Sequence, residues 1–177
     1  MSQAALIVID LQNDYFPGGA FPLANTDATL AAVERAIASA KAKGLPVVHV
    51  QHVADAAQGI APFFNANTPG AEIHPRVLAA APDAPIVVKH FADSFERTSL
   101  HETLLKLGVN ELILCGMMTQ NCVTHTALSR QADAYGKVTV LTDASTTVSD
   151  MLHAIALHAL STRVALATTE QALGAQG

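Results

Sequence analysis

The sequence predicts an α/β domain whose parallel sheet is covered by helices on both faces. Two observations carry this reading. The strand-like runs are continuously apolar instead of alternating, the pattern of strands buried on both sides. Between them lie helix-like segments of roughly 10–15 residues, the connection that joins parallel neighbours through a crossover.

Ala5-Leu6-Ile7-Val8-Ile9 is the first strand, and a turn-rich stretch over 13–22 with Pro17-Gly18-Gly19 follows it. Thr26 or Asp27 is placed to cap an Ala-rich helix whose Leu30, Val33 and Ile37 share a face, with Gly44 as its stop. Pro46-Val47-Val48-His49-Val50 is the second strand. An irregular stretch over 54–82 holds Pro62, Pro69-Gly70, Pro75 and Pro82. A loop of that length in a compact domain serves function or makes a contact elsewhere. Ile86-Val87-Val88 is the third strand, a helix over 99–107 stops at Gly108, and 111–115 is the fourth strand. A helix over 121–135 ending at Gly136, a strand over 138–141, a helix over 147–160 and a strand over 164–166 complete the chain.

The chain has 177 residues, 50% of them hydrophobic and 14% charged, which suits one domain over 1–177 with a sizeable core and excludes a disordered chain. A formal charge of −5 argues against a nucleic-acid surface. The apolar run at 4–9 is too short to span a bilayer or to serve as a signal segment, so no membrane partner is expected. Two cysteines point to a reducing compartment, and the expected location is the cytoplasm.

Three reactive residues stand at strand ends. Parallel sheets of this kind bind ligands outside the carboxyl ends of their strands. Asp10 follows strand one, Lys89 follows strand three, and Cys122 lies just past strand four. A buried Asp and a buried Lys are costly unless paired, so an ion pair between Asp10 and Lys89 is the plain structural reading. Cys122 adds chemistry to it. A thiol near a helix start and beside a cation is expected to have a lowered pKa. Asp10 is placed to take the thiol proton and return it to a leaving group, and Lys89 to stabilise the charged form. Cys115, inside a strand, reads as a small buried hydrophobe.

The segments Ile7-Val8-Ile9-Asp10-Leu11-Gln12-Asn13-Asp14-Tyr15, Val88-Lys89 with Ser94-Phe95, and Gly116-Met117-Met118-Thr119-Gln120-Asn121-Cys122-Val123 resemble those of the isochorismatase-like cysteine hydrolases. That family includes nicotinamidases, N-carbamoylsarcosine amidases and streptothricin hydrolases. The resemblance runs in order from Leu6 to about Val164 and implies a catalytic triad of Asp10, Lys89 and Cys122. It implies a three-layer α/β/α fold with a six-stranded parallel sheet in the order 3-2-1-4-5-6. It implies a cis peptide between Met117 and Met118, an oxyanion hole from the Met118 and Cys122 N–H groups, and a homodimer or higher homo-oligomer. Gln12 and Tyr15 fall where relatives line the substrate pocket. Phe63-Phe64 is a candidate flap with Phe64 toward the substrate, either across a dimer interface or as an anchor within one subunit. In the implied order strand three lies two places from strand one, about 10 Å away, so Lys89 must reach inward past strand two.

Nicotinamidases of the family carry an acidic-any-His metal motif after strand two. This chain has His52-Val53-Ala54 there, so neither metal nor cofactor is expected. His49 and His52 are three apart and fall on opposite faces of a strand, and His153 and His158 are five apart on a helix. All eight histidines read as surface or core groups, with His74 bordering the pocket by analogy with relatives. The expected activity is hydrolysis of a small amide or related C–N bond, outside peptides, through a thioester on Cys122. Relatives that cleave the vinyl ether of isochorismate lack the cysteine, which leaves that reaction as the alternative. A non-catalytic thiol-bearing binding or redox protein is the other alternative. Strand one leads into no Gly-rich dinucleotide loop, and Cys115 and Cys122 form no Cys-x-x-Cys pair.

Overall fold

A computed structural model describes residues 3–174. Six parallel strands, β1 (Ala4–Ile9), β2 (Val47–His52), β3 (Ile86–Lys89), β4 (Glu111–Met117), β5 (Lys137–Thr146) and β6 (Ala165–Ala167), form one sheet in the order β3-β2-β1-β4-β5-β6. Central β1 is buried along almost its whole length, which is why its sequence does not alternate. Leu6 and Val8 face one side, where α1 (Thr26–Ala42), α2 (Pro75–Ala80) and α6 (Thr169–Leu173) cover the sheet with Leu30, Val33, Ile37, Val77 and Leu173. Ala5, Ile7 and Ile9 face the other side. There α3 (Leu100–Lys106), α4 (Thr124–Ala127) and α5 (Asp150–Leu160) contribute Leu100, Leu104, Ala127 and Leu160.

Several boundaries differ from the sequence expectation. Strands β2 and β4 each run two residues further, to His52 and Met117, and β5 runs on to Thr146 with a register shift against β4. Asn25, in the left-handed region, precedes α1, so neither Thr26 nor Asp27 is its cap. The stretch over 54–82 is not wholly irregular, because His74 accepts from Arg76 N–H and Pro75 opens α2. The helix expected over 121–135 is broken. Thr119–Val123 winds as a π turn into α4, the chain leaves the helix at Leu128, and a short 3-10 turn follows at Ala132–Ala134. Hydroxyls tie this segment in place: Thr124 donates to Thr119 O at 2.6 Å, and Thr126 donates to Ser94 Oγ at 2.7 Å while accepting from Ser94 N–H.

Gly116 lets β4 lie against the end of β1. Its φ is 130°, and a Cβ there would overlap the Ile9 carbonyl. The peptide between Met117 and Met118 is cis. No helix among the described residues is long and apolar enough to cross a membrane.

Candidate active site

The carboxyl ends of β1, β2 and β3 converge with the π turn after β4. Asp10 leaves β1 with φ 55°, a left-handed conformation that Asp tolerates better than most residues. Lys89 Nζ lies 2.9 Å from Asp10 Oδ2 and donates to Cys122 Sγ at 3.2 Å. Asp10 and Lys89 are fully buried and Cys122 is 2% exposed. The fold thus brings the three sequence-predicted residues together. Lys89 spans the gap past strand two because β2 ends at His52, its partner in register, and Nζ meets Asp10 beyond that strand end.

Burial, and after it the Asp10 carboxylate, push the Cys122 thiol pKa well above the ordinary range, and Lys89 only partly opposes them. This corrects the expected lowering. The flanking helical segment is one π turn and one α turn, too short to supply much dipole, and the thiol is far more buried than an exposed helix start would make it. Burial opposes the charge on Lys89, but Asp10 and Cys122 hold its pKa above the usual lysine value. Both Asp10 carboxylate oxygens are buried and accept no hydrogen bond among the described residues, Oδ2 being held only by its ion pair with Lys89.

His52 belongs to this cluster, which the sequence reading missed. Its Nδ1 is 2.8 Å from Lys89 Nζ. An ammonium has no lone pair, so Nδ1 is the acceptor and the ring proton sits on Nε2. Burial, with Lys89 next, lowers the His52 pKa to about 4. His49 lies on the opposite face, as its spacing requires, with Nε2 3.1 Å from Ala81 O. His74 sits outside the cluster, capping α2 and packing against Phe16 with 4.4 Å between ring centroids.

Gln12 is buried, and its side chain is spent on backbone. Its Oε1 accepts from His52 N–H at 2.7 Å, and its Nε2 donates to His52 O and Ala71 O, each at 2.7 Å. Its contact with the site runs through His52. Tyr15 packs edge-on against Phe64 at 4.5 Å between centroids, and burial, followed by the charges of Asp10 and Cys122, raises its phenol pKa so that it keeps its proton. Phe63 completes this aromatic wall against Tyr15 and Phe21, so the Phe63-Phe64 pair is anchored within its own chain. Phe64 has φ 61°, its N–H donates to Asp14 Oδ2 at 2.7 Å, and its ring lies 5.9 Å from that of His52. On the side of the π turn, His153 Nε2 donates to Thr142 O at 3.2 Å, which leaves Nδ1 to accept from the Thr119 hydroxyl at 2.8 Å.

The donor set also answers the question of a divalent metal, which nicotinamidases of the resembling family hold. Asp10, His52 and Cys122 offer ligand atoms within 4.8 Å of one another. The Lys89 ammonium, however, lies within 3.2 Å of Asp10 Oδ2, His52 Nδ1 and Cys122 Sγ. A divalent ion there would have to displace a buried cation held by an ion pair. These residues do not fit a resident metal.

The sheet order agrees with the comparisons. The isochorismatase domain matches residues 4–172, and the chain belongs to that family. It is 40% identical over 131 residues to the uncharacterized isochorismatase family protein YddQ of Bacillus subtilis, covering 74% of this chain and 71% of that one. It is 30% identical to the nicotinamidase of Escherichia coli, covering 81% of this chain and 83% of that one. Among solved structures, an isochorismatase family protein from Desulfovibrio vulgaris superposes with a TM-score of 0.85 at 26% identity, covering 96% of this chain and 95% of that one.

Proposed function

We propose that the chain is a cysteine hydrolase that opens a small amide or related non-peptide C–N bond through a thioester on Cys122. The observation that carries this reading is the buried contact of a thiol, a carboxylate with a free oxygen, and an ammonium that touches both. Asp10 takes the Cys122 proton as Sγ attacks the carbonyl carbon. The carbonyl oxygen becomes an oxyanion held by the N–H groups of Met118 and Cys122. The tetrahedral intermediate collapses as Asp10 returns the proton to the nitrogen, which leaves as ammonia or amine. Water then gives a proton to Asp10 and attacks the thioester, and Cys122 leaves as thiolate and recovers that proton. Lys89 keeps the net charge of the site balanced throughout.

The aromatic wall of Tyr15 and Phe64 and the near-complete burial of the reacting groups favour a small, uncharged carbonyl compound. The test is a panel of small primary amides, ureido compounds and isochorismate, with ammonia or amine release as the readout and mass spectrometry of the quenched protein. An acyl adduct on Cys122 and amide turnover are expected. Turnover of isochorismate alone, or amide turnover that survives Cys122→Ala, would overturn the proposal.

A further inference from the structure

Four acceptors surround the Lys89 ammonium: Asp10 Oδ2 at 2.9 Å, His52 Nδ1 at 2.8 Å, the Phe91 carbonyl at 3.1 Å and Cys122 Sγ at 3.2 Å. An ammonium has three hydrogens. One neighbour is therefore always without one. Two of the four, His52 and the Phe91 carbonyl, are neutral and keep the same charge through the proposed reaction. The other two, Asp10 and Cys122, share one negative charge and exchange a proton.

We propose that His52 is a positioning residue for Lys89: with the Phe91 carbonyl it holds two ammonium hydrogens in place, and so keeps the third on Cys122 Sγ as the negative charge moves from Asp10 to the thiolate. In the resting structure that hydrogen points to Cys122 Sγ, while Asp10 Oδ2 is held at 2.9 Å as an ion pair. When the S–H bond breaks and an O–H bond forms on Asp10, the charge moves to Sγ, which the third hydrogen already faces. No covalent bond to Lys89 changes. The ammonium need not translate, because two fixed acceptors hold its position.

The surroundings of His52 fit this task. His52 and Lys89 are register partners on adjacent parallel strands. The His52 N–H and C=O are both engaged by the single amide of Gln12, which also ties this strand end to Ala71. A ring carried on a strand end fixed on both sides is a stiff acceptor. The groups that face Lys89 are Asp10 from the end of β1, His52 from β2 and Cys122 from the π turn, with His90 acting on His52 and the Tyr15 phenol feeling Asp10 and Cys122.

This inference rests on the proposed roles of Asp10 and Cys122, and its test uses the resting protein so that the two fail separately. The Lys89 side-chain NMR signal, assigned by its loss in Lys89→Met, is titrated in the wild type, His52→Leu and His52→Asn. Leucine removes the acceptor, and the asparagine carbonyl can replace it. In His52→Leu the Lys89 midpoint is expected to fall by about 1–2 units, the loss of one hydrogen bond to a buried charge. In His52→Asn it stays within about half a unit of the wild type. With any amide that is turned over, kcat in His52→Leu falls about tenfold while KM stays within about twofold, since the ring acts on the proton-transfer step and not on binding. A wild-type Lys89 midpoint in His52→Leu, or equal shifts in the Leu and Asn variants, would overturn the inference even if the amide panel succeeds.

Discussion

The Asp10–Lys89 pair offers the sharpest energetic test, because both side chains are fully buried and lie 2.9 Å apart. Asp10→Asn keeps the shape but leaves a buried ammonium without its counter-charge, and Lys89→Met leaves a buried carboxylate. Each single change is expected to cost about 3–5 kcal/mol, the cost of orphaning one member of a buried pair. The double variant carries no charge at this point. Its cost is expected to be about 1–3 kcal/mol, that of a buried amide with incomplete hydrogen bonding. The cycle should therefore close with a coupling of about 3 kcal/mol or more in favour of the double variant. Urea unfolding at pH 7 measures it, provided that m is the same in all four proteins. Additivity within about 0.5 kcal/mol would refute the reasoning, since it would mean that each charge finds water when the other is removed.

Cys122→Ala is expected to abolish turnover and Cys115→Ala to leave most of it, because Cys115 lies within β4 on the opposite face of the sheet; steady-state rates decide this. Burial and Lys89 hold the His52 pKa down to about 4, so its contribution to stability is complete above the unfolded value near 6.5 and is lost as the pH falls toward 4. At about 1.4 kcal/mol per unit this amounts to about 3 kcal/mol, read as the wild-type minus His52→Asn difference in unfolding free energy against pH; a flat difference refutes it. Gly116→Ala is expected to prevent soluble expression or to cost more than about 4 kcal/mol, because its Cβ would overlap the Ile9 carbonyl at φ 130°; chemical denaturation checks this. Exhaustive chelation should leave activity unchanged, and activity lost with EDTA and restored by one equivalent of zinc would contradict the metal-fit argument.

Much of the fold was legible because apolar burial on both faces writes itself into sequence. Ala5 to Ile9 could hardly be anything but a central strand, and the glycines at 44 and 108, both in the left-handed region, stop their helices as their chemistry requires. The broken helix after Cys122 was not legible from periodicity. Its apolar spacing continues past Thr124, but the Thr124 hydroxyl bonds back to Thr119 O and the Thr126 hydroxyl is tied across to Ser94, contacts that no periodicity announces. The terminal helix α6 did carry a signal that the reading passed over: Thr168 and Gln171 form a capping box, spaced as such boxes are. The aromatic wall was visible as Phe63-Phe64, but its placement depends on Asp14. The Asp14 carboxylate accepts from Ala20 N–H and Phe64 N–H across a long loop, a bond with no local signature.

His52 shows why chemistry is hardest to read at the place where it concentrates. Hydropathy ends β2 at Val50, since Gln51 and His52 are polar and half-buried. The backbone continues to pair with β3 for two more residues, so the strand is longer than its apolar run. A sheet whose ligand-facing edge must hold charged and hydrogen-bonding groups will always have strands that outlast their hydrophobic signal at that edge. The same two residues decide what Lys89 meets. Had β2 ended at Val50, the lysine would have crossed a gap to Asp10 with water for its other hydrogens, and its charge would be cheap to keep. With His52 in register beside it, the ammonium is dry, and every one of its hydrogens needs a protein acceptor. The last residue of β2 is here an imidazole whose ring accepts from Lys89, and the cation it serves is the chain's own lysine.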